Sequence, residues 1–184
     1  MSVSRIAVID YGASNLRSVV KALEHVGHSP IVVDTPDLVK SAAALLLPGQ
    51  GASDPAMRAL KRRGLVGPIL EAIGRGVPYL GVCLGLQLLV ESSEEGVEPC
   101  LGVLKGRVVR FSRSLPQHLK VPHMGWNQVR LRSTHPVLQG IPQDANFYFV
   151  HSYYAVPDDG ALVAGTTEHG GEFCSVVARE NLIA

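Results

Sequence analysis

The hydrophobic pattern of the first half of the chain switches repeatedly between two periods. Short apolar runs of strand length recur four times, at 5–10, 30–33, 42–47 and 78–82. Apolar residues at helical spacing recur between and after these runs, at 15–26, 53–63, 65–73 and 85–91. Strands that alternate with helices at this pace predict a mostly parallel sheet flanked by helices, which is an α/β fold.

The second half of the chain is richer in strand signals and poorer in helical ones. Its β-rich segments are at 102–111, 127–131, 146–156, 162–166 and 173–178. Their composition and close spacing predict an antiparallel extension of the parallel sheet. No internal repeat, low-complexity tract or long linker divides the sequence, so residues 1–184 are expected to form a single domain.

The amino-acid composition of the chain disfavours several classes of function. The 184 residues are 46% hydrophobic and 18% charged, with a formal net charge of +1, which does not favour a nucleic-acid partner. No apolar run approaches the roughly 18 to 20 residues of a membrane span, and the N-terminus lacks a signal-peptide pattern, so a cytoplasmic protein is expected. The three cysteines form no CxxC pair, which argues against a disulfide framework or a zinc site, and no metal or cofactor is expected.

Residues 79–87, Tyr-Leu-Gly-Val-Cys-Leu-Gly-Leu-Gln, carry the clearest chemical signal. An apolar strand enters Gly81-x-Cys83-x-Gly85 and a helix leaves it, which is the pattern of a nucleophile elbow with cysteine in place of serine. The two glycines are needed because a Cβ at either position would collide with the neighbouring chain. The turn aims the Cys83 sulfur at the carboxyl end of the sheet, where the helix N-terminus favours a thiolate and offers the Leu84 backbone N–H to an oxyanion. A buried structural cysteine is the alternative, which the strand–turn–helix context disfavours.

A glycine-rich loop, Leu47-Pro48-Gly49-Gln50-Gly51, follows the preceding buried strand and therefore ends at the same edge of the sheet. Such a loop can turn the backbone N–H of Gln50 or Gly51 toward the substrate of Cys83. An ordinary glycine turn is the alternative for these residues taken alone.

These motifs together, with Glu91 further along, resemble the class I glutamine amidotransferases. The resemblance implies a flavodoxin-like α/β fold in which Cys83 attacks the side-chain amide of L-glutamine, forms a glutamyl thioester and releases ammonia. It also implies that Gln87 and Glu91 contact the bound glutamine. The spacing of four residues from Cys83 to Gln87 and from Gln87 to Glu91 independently predicts one helix face. A solvated helix end is the alternative for Glu91.

Three further stretches resemble the glutaminase subunits of imidazole glycerol phosphate synthase. They are Asp10-Tyr11-Gly12-x-x-Asn15-Leu16, Val121-Pro122-His123-Met124-Gly125-Trp126-Asn127 and Tyr148-Phe149-Val150-His151-Ser152-Tyr153-Tyr154. The resemblance implies a (β/α)8-barrel cyclase partner that receives the ammonia and makes imidazole glycerol phosphate and aminoimidazole carboxamide ribotide in histidine biosynthesis. It implies that Ser152 and Tyr153 hold the glutamine through backbone groups. The partner interface would include Asn15, Met124, Trp126, Asn127 and Tyr148.

The residues themselves leave alternatives open. A lone tryptophan such as Trp126 is more often a core residue, and one of Tyr148 and Phe149 is expected in the core because neighbours alternate on a strand. His123 and His151 have no sequence-adjacent carboxylate and are interpreted as structural or interface residues. A partner-binding relative without chemistry and a different class I amidotransferase subunit are the alternative functions, and the second is disfavoured by the 122–127 motif.

The sequence contains no identifiable base for the Cys83 thiol. The resemblance implies that a His-Pro-Glu segment near the C-terminus, just after a strand, supplies the base and the group that orients it. None of the seven histidines is followed two residues later by glutamate, and the sequence ends at Ala184 within an apolar strand. We therefore expect a domain that is incomplete at its C-terminus and inactive as these 184 residues alone. A degenerate, non-hydrolysing relative is the less favoured explanation.

Overall fold

A computed structural model describes residues 6–12, 15–112 and 114–184 of the chain. The predicted first strand began at Arg5, and the predicted turn after it included Ala13 and Ser14. These three residues lie outside the described residues.

The first half alternates strands and helices, as the apolar pattern predicts. Its elements in chain order are β1 (Ile6–Ile9), α1 (Leu16–His25), β2 (Ile31–Val33), α2 (Pro36–Lys40), β3 (Ala44–Gly49), α3 (Ser53–Arg62), α4 (Val66–Gly74), β4 (Tyr79–Cys83) and α5 (Leu84–Gln87). Local signals account for several boundaries: the Asn15 side chain accepts a hydrogen bond from the Ser18 N–H at the start of α1. Pro36 occupies the first position of α2, where its missing N–H costs nothing.

The described residues of the second half form strands and two short 3₁₀ turns, Pro136–Leu138 and Gly160–Leu162. The strands are β5 (Ser92–Ser93), β6 (Gly106–Arg110), β7 (His123–Leu131), β8 (Ala145–His151), β9 (Tyr153–Pro157), β10 (Val163–Glu168), β11 (Glu172–Arg179) and β12 (Leu182–Ile183).

A nine-stranded sheet organises the molecule, in the order β2-β1-β3-β4-β12-β11-β10-β7-β8. The first five of these strands pair in parallel, and from β12 to β8 every pair is antiparallel. The predicted antiparallel extension is therefore confirmed. A second, three-stranded sheet, β5-β6-β9, was not predicted. The core lies mainly between the parallel strands and α3 and α4, where Leu47, Leu60 and Ile69 are inaccessible to solvent.

The prediction of a helix over 85–91 is wrong beyond Gln87, where α5 ends. The next three residues, Leu88, Leu89 and Val90, are all buried, and a helix on a sheet surface cannot bury three consecutive side chains. Their carbonyl groups instead accept hydrogen bonds from the backbone N–H groups of Leu101, Leu104 and Gly102. This loop pairing replaces the helical hydrogen bonds and turns the chain away from the predicted helix axis.

The predicted strand 146–156 is broken at Ser152, because its two parts belong to different sheets. β8 pairs with β7 in the nine-stranded sheet, whereas β9 pairs with β6 in the three-stranded sheet. Ser152 forms the corner between the sheets, and its carbonyl accepts a hydrogen bond from the Phe111 N–H at 3.1 Å. Among the described residues, no helix is both long enough and apolar enough to cross a membrane.

Candidate active site

The strand β4 ends in a strained turn at Cys83. This residue has φ 57° and ψ −111°, a conformation that non-glycine residues rarely adopt, and its side chain is exposed. A Cβ at Gly81 would lie 2.7 Å from the Gly85 carbonyl oxygen, and a Cβ at Gly85 would overlap the Leu47 carbonyl oxygen. The Tyr79 hydroxyl donates a hydrogen bond to the Gly85 carbonyl at 3.1 Å, which stabilises the turn. The structure therefore has the elbow geometry that the glycine spacing predicts.

The glycine-rich loop lies beside the elbow. Gly49 is paired with Cys83 in the parallel ladder between β3 and β4, so Gln50 and Gly51 follow at the same edge of the sheet. Both residues are exposed, and Gly51 has φ +81°. Leu84 is buried, and its backbone N–H lies near enough to the Cys83 sulfur to lower the pKa of the thiol.

The Cys83 thiol is less acidic than the sequence suggested. Protein atoms crowded around the sulfur reduce its hydration, although the residue as a whole is exposed, and this desolvation raises its pKa. The Leu84 N–H lowers the pKa, as predicted for this turn, and the Glu95 carboxylate raises it. The helix N-terminus therefore acts on the thiol in the predicted direction, but desolvation is the larger effect and the net pKa of Cys83 is raised.

A cavity of about 430 Å³ opens beside Cys83. Its lining is mostly apolar and includes Leu80, Val82 and Leu86. Gln87 and Tyr153 also line it, and the Gln87 side-chain amide donates a hydrogen bond to the Tyr153 carbonyl at 2.9 Å. Three predicted site residues, Cys83, Gln87 and Tyr153, are thus brought together, with Ser152 at the adjoining corner.

Glu91 does not lie on the helix face that the sequence predicted for it. The helix ends before it, so Glu91 does not share a helix face with Cys83 and Gln87. Its carboxylate accepts a hydrogen bond from the Gly106 N–H at 3.3 Å, and the residue is exposed. The predicted helix-face contact is therefore wrong.

Glu95 is the acidic residue whose charge reaches Cys83, and the sequence reasoning missed it. Its carboxylate accepts a hydrogen bond from the Ser53 N–H at 3.1 Å, in the first turn of α3. Ser53 follows the glycine-rich loop by two residues, so this bond joins Glu95 to the loop side of the site. A charged residue that follows the elbow within a Ser-Ser-Glu-Glu-Gly turn was the only available signal.

The predicted interface residues separate into groups. Met124, Trp126 and Tyr148 are 63%, 73% and 57% exposed, on neighbouring strands β7 and β8. Trp126 and Tyr148 are directly paired, with ring centroids 5.6 Å apart in an edge-to-face arrangement. The core alternative for Trp126 is therefore wrong. We call Trp126 and Tyr148, together with the neighbouring Met124, the aromatic ribbon.

The other two predicted interface residues lie elsewhere. Asn127 is half-buried, and its amide donates hydrogen bonds to the His123 ring and the Glu168 carbonyl. Asn15 caps α1 after β1, the second strand of the sheet, whereas β7 is the eighth. The sheet order does not bring Asn15 beside the aromatic ribbon.

A family model and several known proteins match this chain over nearly its whole length. Residues 7–184 match the family model described as glutamine amidotransferase class-I. The chain is 51% identical to the imidazole glycerol phosphate synthase subunit HisH of Thermosynechococcus vestitus, over 100% of this chain and 88% of that protein. It is 48% identical to the subunit of the same name from Aromatoleum aromaticum, over 98% of this chain and 88% of the relative.

Solved structures share the fold at much lower identity. A crystal structure of a glutamine amidotransferase matches with a TM-score of 0.74 and 17% identity, covering 97% of this chain and 87% of that one. The glutaminase domain of Trypanosoma brucei CTPS matches with a TM-score of 0.65 and 15% identity, over 94% and 80% of the two chains. The chain therefore belongs to the class I glutamine amidotransferases and, within that family of enzymes, to the HisH subunits of imidazole glycerol phosphate synthase.

Proposed function

We propose that Cys83 is the nucleophile that attacks the side-chain amide of L-glutamine in the glutaminase reaction. The sulfur attacks the side-chain amide carbon and forms a γ-glutamyl thioester, and the amide nitrogen leaves as ammonia once it has taken up the thiol proton. Water then cleaves the thioester to give glutamate and free thiol. The observation that carries this proposal is the strained positive φ of Cys83, which is maintained where its side chain opens into the cavity.

Backbone groups beside Cys83 support stabilisation of the tetrahedral intermediate. The Leu84 N–H acts on the sulfur by lowering the thiol pKa, and the loop holding Gln50 and Gly51 starts directly opposite Cys83. Donors fixed by backbone need no rearrangement as negative charge develops on the amide oxygen. We assign the oxyanion hole to Leu84 together with Gln50 or Gly51.

Recognition of glutamine is assigned to Gln87, Ser152, Tyr153 and Glu95. The corner at 152–153 offers backbone groups at the rim of the cavity, and Gln87 is bonded to it. Glutamine carries an α-ammonium group, and Glu95 is the carboxylate whose field reaches Cys83. The negative charge of Glu95 raises the Cys83 thiol pKa, which disfavours the nucleophilic thiolate. The same charge would attract the positively charged α-ammonium group of the substrate.

The thiol proton requires a base. The family resemblance implies a His-Pro-Glu segment for this role, and no histidine of the sequence stands in that arrangement. From these 184 residues alone we therefore expect Cys83 to be alkylated but not to sustain glutamine turnover.

The ammonia is proposed to pass to a cyclase subunit with a (β/α)8-barrel fold. That partner would use it to make imidazole glycerol phosphate and aminoimidazole carboxamide ribotide in histidine biosynthesis. The proposal is supported by the HisH relatives, which are named as subunits of a synthase, and by the exposed aromatic ribbon. Exposed aromatic side chains that contact each other are typical anchors of protein–protein interfaces.

A glutamine-analogue alkylating agent tests the nucleophile. We expect it to modify Cys83, and not Cys100 or Cys174, when the chain is digested and analysed by mass spectrometry. The two other cysteines are internal controls, because burial raises their pKa values to about 11 and about 12. Excess L-glutamine should protect Cys83, and Cys83→Ser should abolish the modification. Equal labelling of the three thiols, or no protection by glutamine, would contradict the proposal.

A further inference from the structure

A continuous line of hydrogen bonds runs from Asn127 on β7 through two histidines to the corner beside Cys83. Asn127 Nδ2 lies 3.1 Å from His123 Nε2, and His123 Nδ1 lies 3.0 Å from His151 Nε2. His151 Nδ1 in turn lies 2.8 Å from the Tyr153 carbonyl oxygen. The line thus ends on the carbonyl that also holds Gln87.

Only one arrangement of protons satisfies every bond in this line. A carbonyl oxygen can only accept, so His151 Nδ1 carries the hydrogen and, in a neutral ring, His151 Nε2 accepts. His123 must therefore donate from Nδ1, which leaves its Nε2 to accept from the Asn127 amide nitrogen. Both rings are neutral Nδ1–H tautomers, and the line runs in one direction from Asn127 to Tyr153.

The orientation of Asn127 fixes the start of the line. Its amide nitrogen also donates to the Glu168 carbonyl at 2.9 Å, and its oxygen accepts from the Gln128 N–H at 2.8 Å. The side-chain amide therefore cannot be reversed without losing both bonds.

Aromatic rings surround the two histidines and keep them uncharged. Phe111 and Phe173 lie edge-on to both rings or tilted against them, and Phe149 stacks on His123. Burial is the largest cause lowering the pKa of each histidine. A proton on His151 Nε2 would also point two N–H groups at each other.

We propose that His151 and His123 are positioning residues for the glutaminase reaction, because they fix the Tyr153 carbonyl that holds Gln87 and the glutamine-binding corner beside Cys83. The inference rests on the proposed function and deepens it. Gln87 is the last residue of the short helix that begins immediately after Cys83, so its bond to Tyr153 sets the distance between elbow and corner. Neither histidine touches the reacting atoms in this assignment.

Four variants separate positioning from folding. His151→Phe retains an aromatic ring but removes both nitrogen atoms, and His123→Phe interrupts the line one step earlier. His151→Asn is the rescue variant, because its amide nitrogen can replace Nδ1 as donor to the Tyr153 carbonyl. His169→Phe is the matched control: its ring stacks on His123 with centroids 4.1 Å apart, but its Nε2 bonds the Lys120 carbonyl and not the line.

The full chain is treated with two reagents at about pH 9, where a raised thiol pKa still permits reaction. A glutamine-analogue alkylating agent needs the corner, and iodoacetamide needs only the thiolate. For His151→Phe we expect the half-saturating concentration of the analogue to rise about 10-fold, as for the loss of one buried hydrogen bond, with the iodoacetamide rate unchanged. His123→Phe should show a smaller rise, His151→Asn a partial recovery, and His169→Phe wild-type behaviour.

The outcomes distinguish this inference from the proposed function. If wild-type Cys83 is not alkylated by the analogue, the proposed function fails and the positioning role fails with it. If the wild type reacts and His151→Phe retains wild-type saturation, only the positioning role is overturned. A parallel loss of both reactivities in His151→Phe would also overturn it, since that indicates a general structural role. Nitrogen-15 NMR of the histidine rings provides an independent readout, and an Nε2–H tautomer on either ring at neutral pH would contradict the line.

Discussion

Gly49 lies directly opposite Cys83 in the ladder between β3 and β4. A Cβ on Gly49 would stand 2.6 Å from the Tyr11 hydroxyl oxygen and 2.7 Å from the Leu84 Cβ. The loop can approach the nucleophile this closely only because the residue facing it has no side chain. The glycine-rich loop and the Cys83 elbow therefore pack directly against each other, because glycines at both strand ends avoid a steric clash.

Gly85→Ala is expected to destabilise the protein strongly. The added Cβ would overlap the Leu47 carbonyl oxygen, which belongs to the backbone of a buried central strand and cannot swing aside. We expect a loss of about 3 kcal/mol or more in the free energy of unfolding, measured by urea denaturation. Gly67→Ala, in the first turn of α4, is the control, because nothing lies within 4 Å of its added Cβ. That variant should be neutral or up to about 1 kcal/mol more stable. Equal stabilities for the two variants would contradict the close approach.

Glu95→Gln is expected to make the Cys83 thiol more acidic. The carboxylate raises the Cys83 pKa, so its neutralisation lowers that pKa and increases the thiolate fraction at neutral pH. The glutamine oxygen can still accept the Ser53 N–H, which preserves the turn. The alkylation rate with iodoacetamide at neutral pH should rise about 2- to 10-fold, while saturation with the glutamine analogue weakens.

Glu98→Gln is the control for this charge effect. Glu98 belongs to the same segment and pairs with Arg58, but its charge is not among the causes that shift the Cys83 pKa. Its alkylation profile should match the wild type. An unchanged or slower iodoacetamide reaction in Glu95→Gln would rule out the assigned electrostatic coupling.

The elbow could be predicted from the sequence because its determinants are local. Gly81, Cys83 and Gly85 span five residues, and strand, turn and helix follow directly from their order. Periodicity likewise predicted the parallel strands, of which β3 is one continuous buried segment, and the helices between them.

Glu95 and the corner at Ser152 could not be found in this way. Glu95 reaches the site because the segment after α5 is held by backbone bonds to residues 100–104, and no local period encodes that pairing. The break between β8 and β9 depends on β7 and β6, which are distant partners in two sheets. A pattern read along one strand cannot reveal which partner each half will choose.

Tyr11→Phe and Tyr79→Phe should differ in stability, because only the Tyr79 hydroxyl makes a hydrogen bond within the described residues. The Tyr11 hydroxyl is buried and makes no hydrogen bond with the described residues, so its removal should leave stability unchanged or raise it by about 1 kcal/mol. The Tyr79 hydroxyl is also buried but donates to the Gly85 carbonyl, and its removal should cost about 1–3 kcal/mol. Thermal unfolding followed by circular dichroism measures both. A Tyr11→Phe variant less stable than Tyr79→Phe would show that the Tyr11 hydroxyl has an essential partner.

Trp126→Ala is expected to weaken binding of the proposed cyclase partner without affecting the fold. The side chain is 73% exposed and contacts Tyr148 edge-on, so little buried area is lost within the chain. At an interface, truncation of an aromatic anchor costs about 2 kcal/mol or more, which is a change of at least about 30-fold in Kd by titration calorimetry. Val97→Ala is the control, because Val97 is 91% exposed and lies outside the aromatic ribbon. Wild-type affinity in Trp126→Ala would exclude the ribbon as the docking surface.

Acid should destabilise the protein through His123 before most carboxylates titrate. Burial, followed by the neighbouring His169 and His151, lowers the folded-state pKa of His123 from 6.5 to about 4. Between these two values the unfolded chain binds a proton that the folded chain does not, so the stability present above pH 6.5 is lost as the pH falls toward 4. We expect a loss of roughly 1–3 kcal/mol over this window, measured by urea denaturation at several pH values. His123→Phe will be less stable at neutral pH but should show a shallower pH dependence, because its titrating ring is gone. An equally steep decline in that variant would assign the acid sensitivity to other groups.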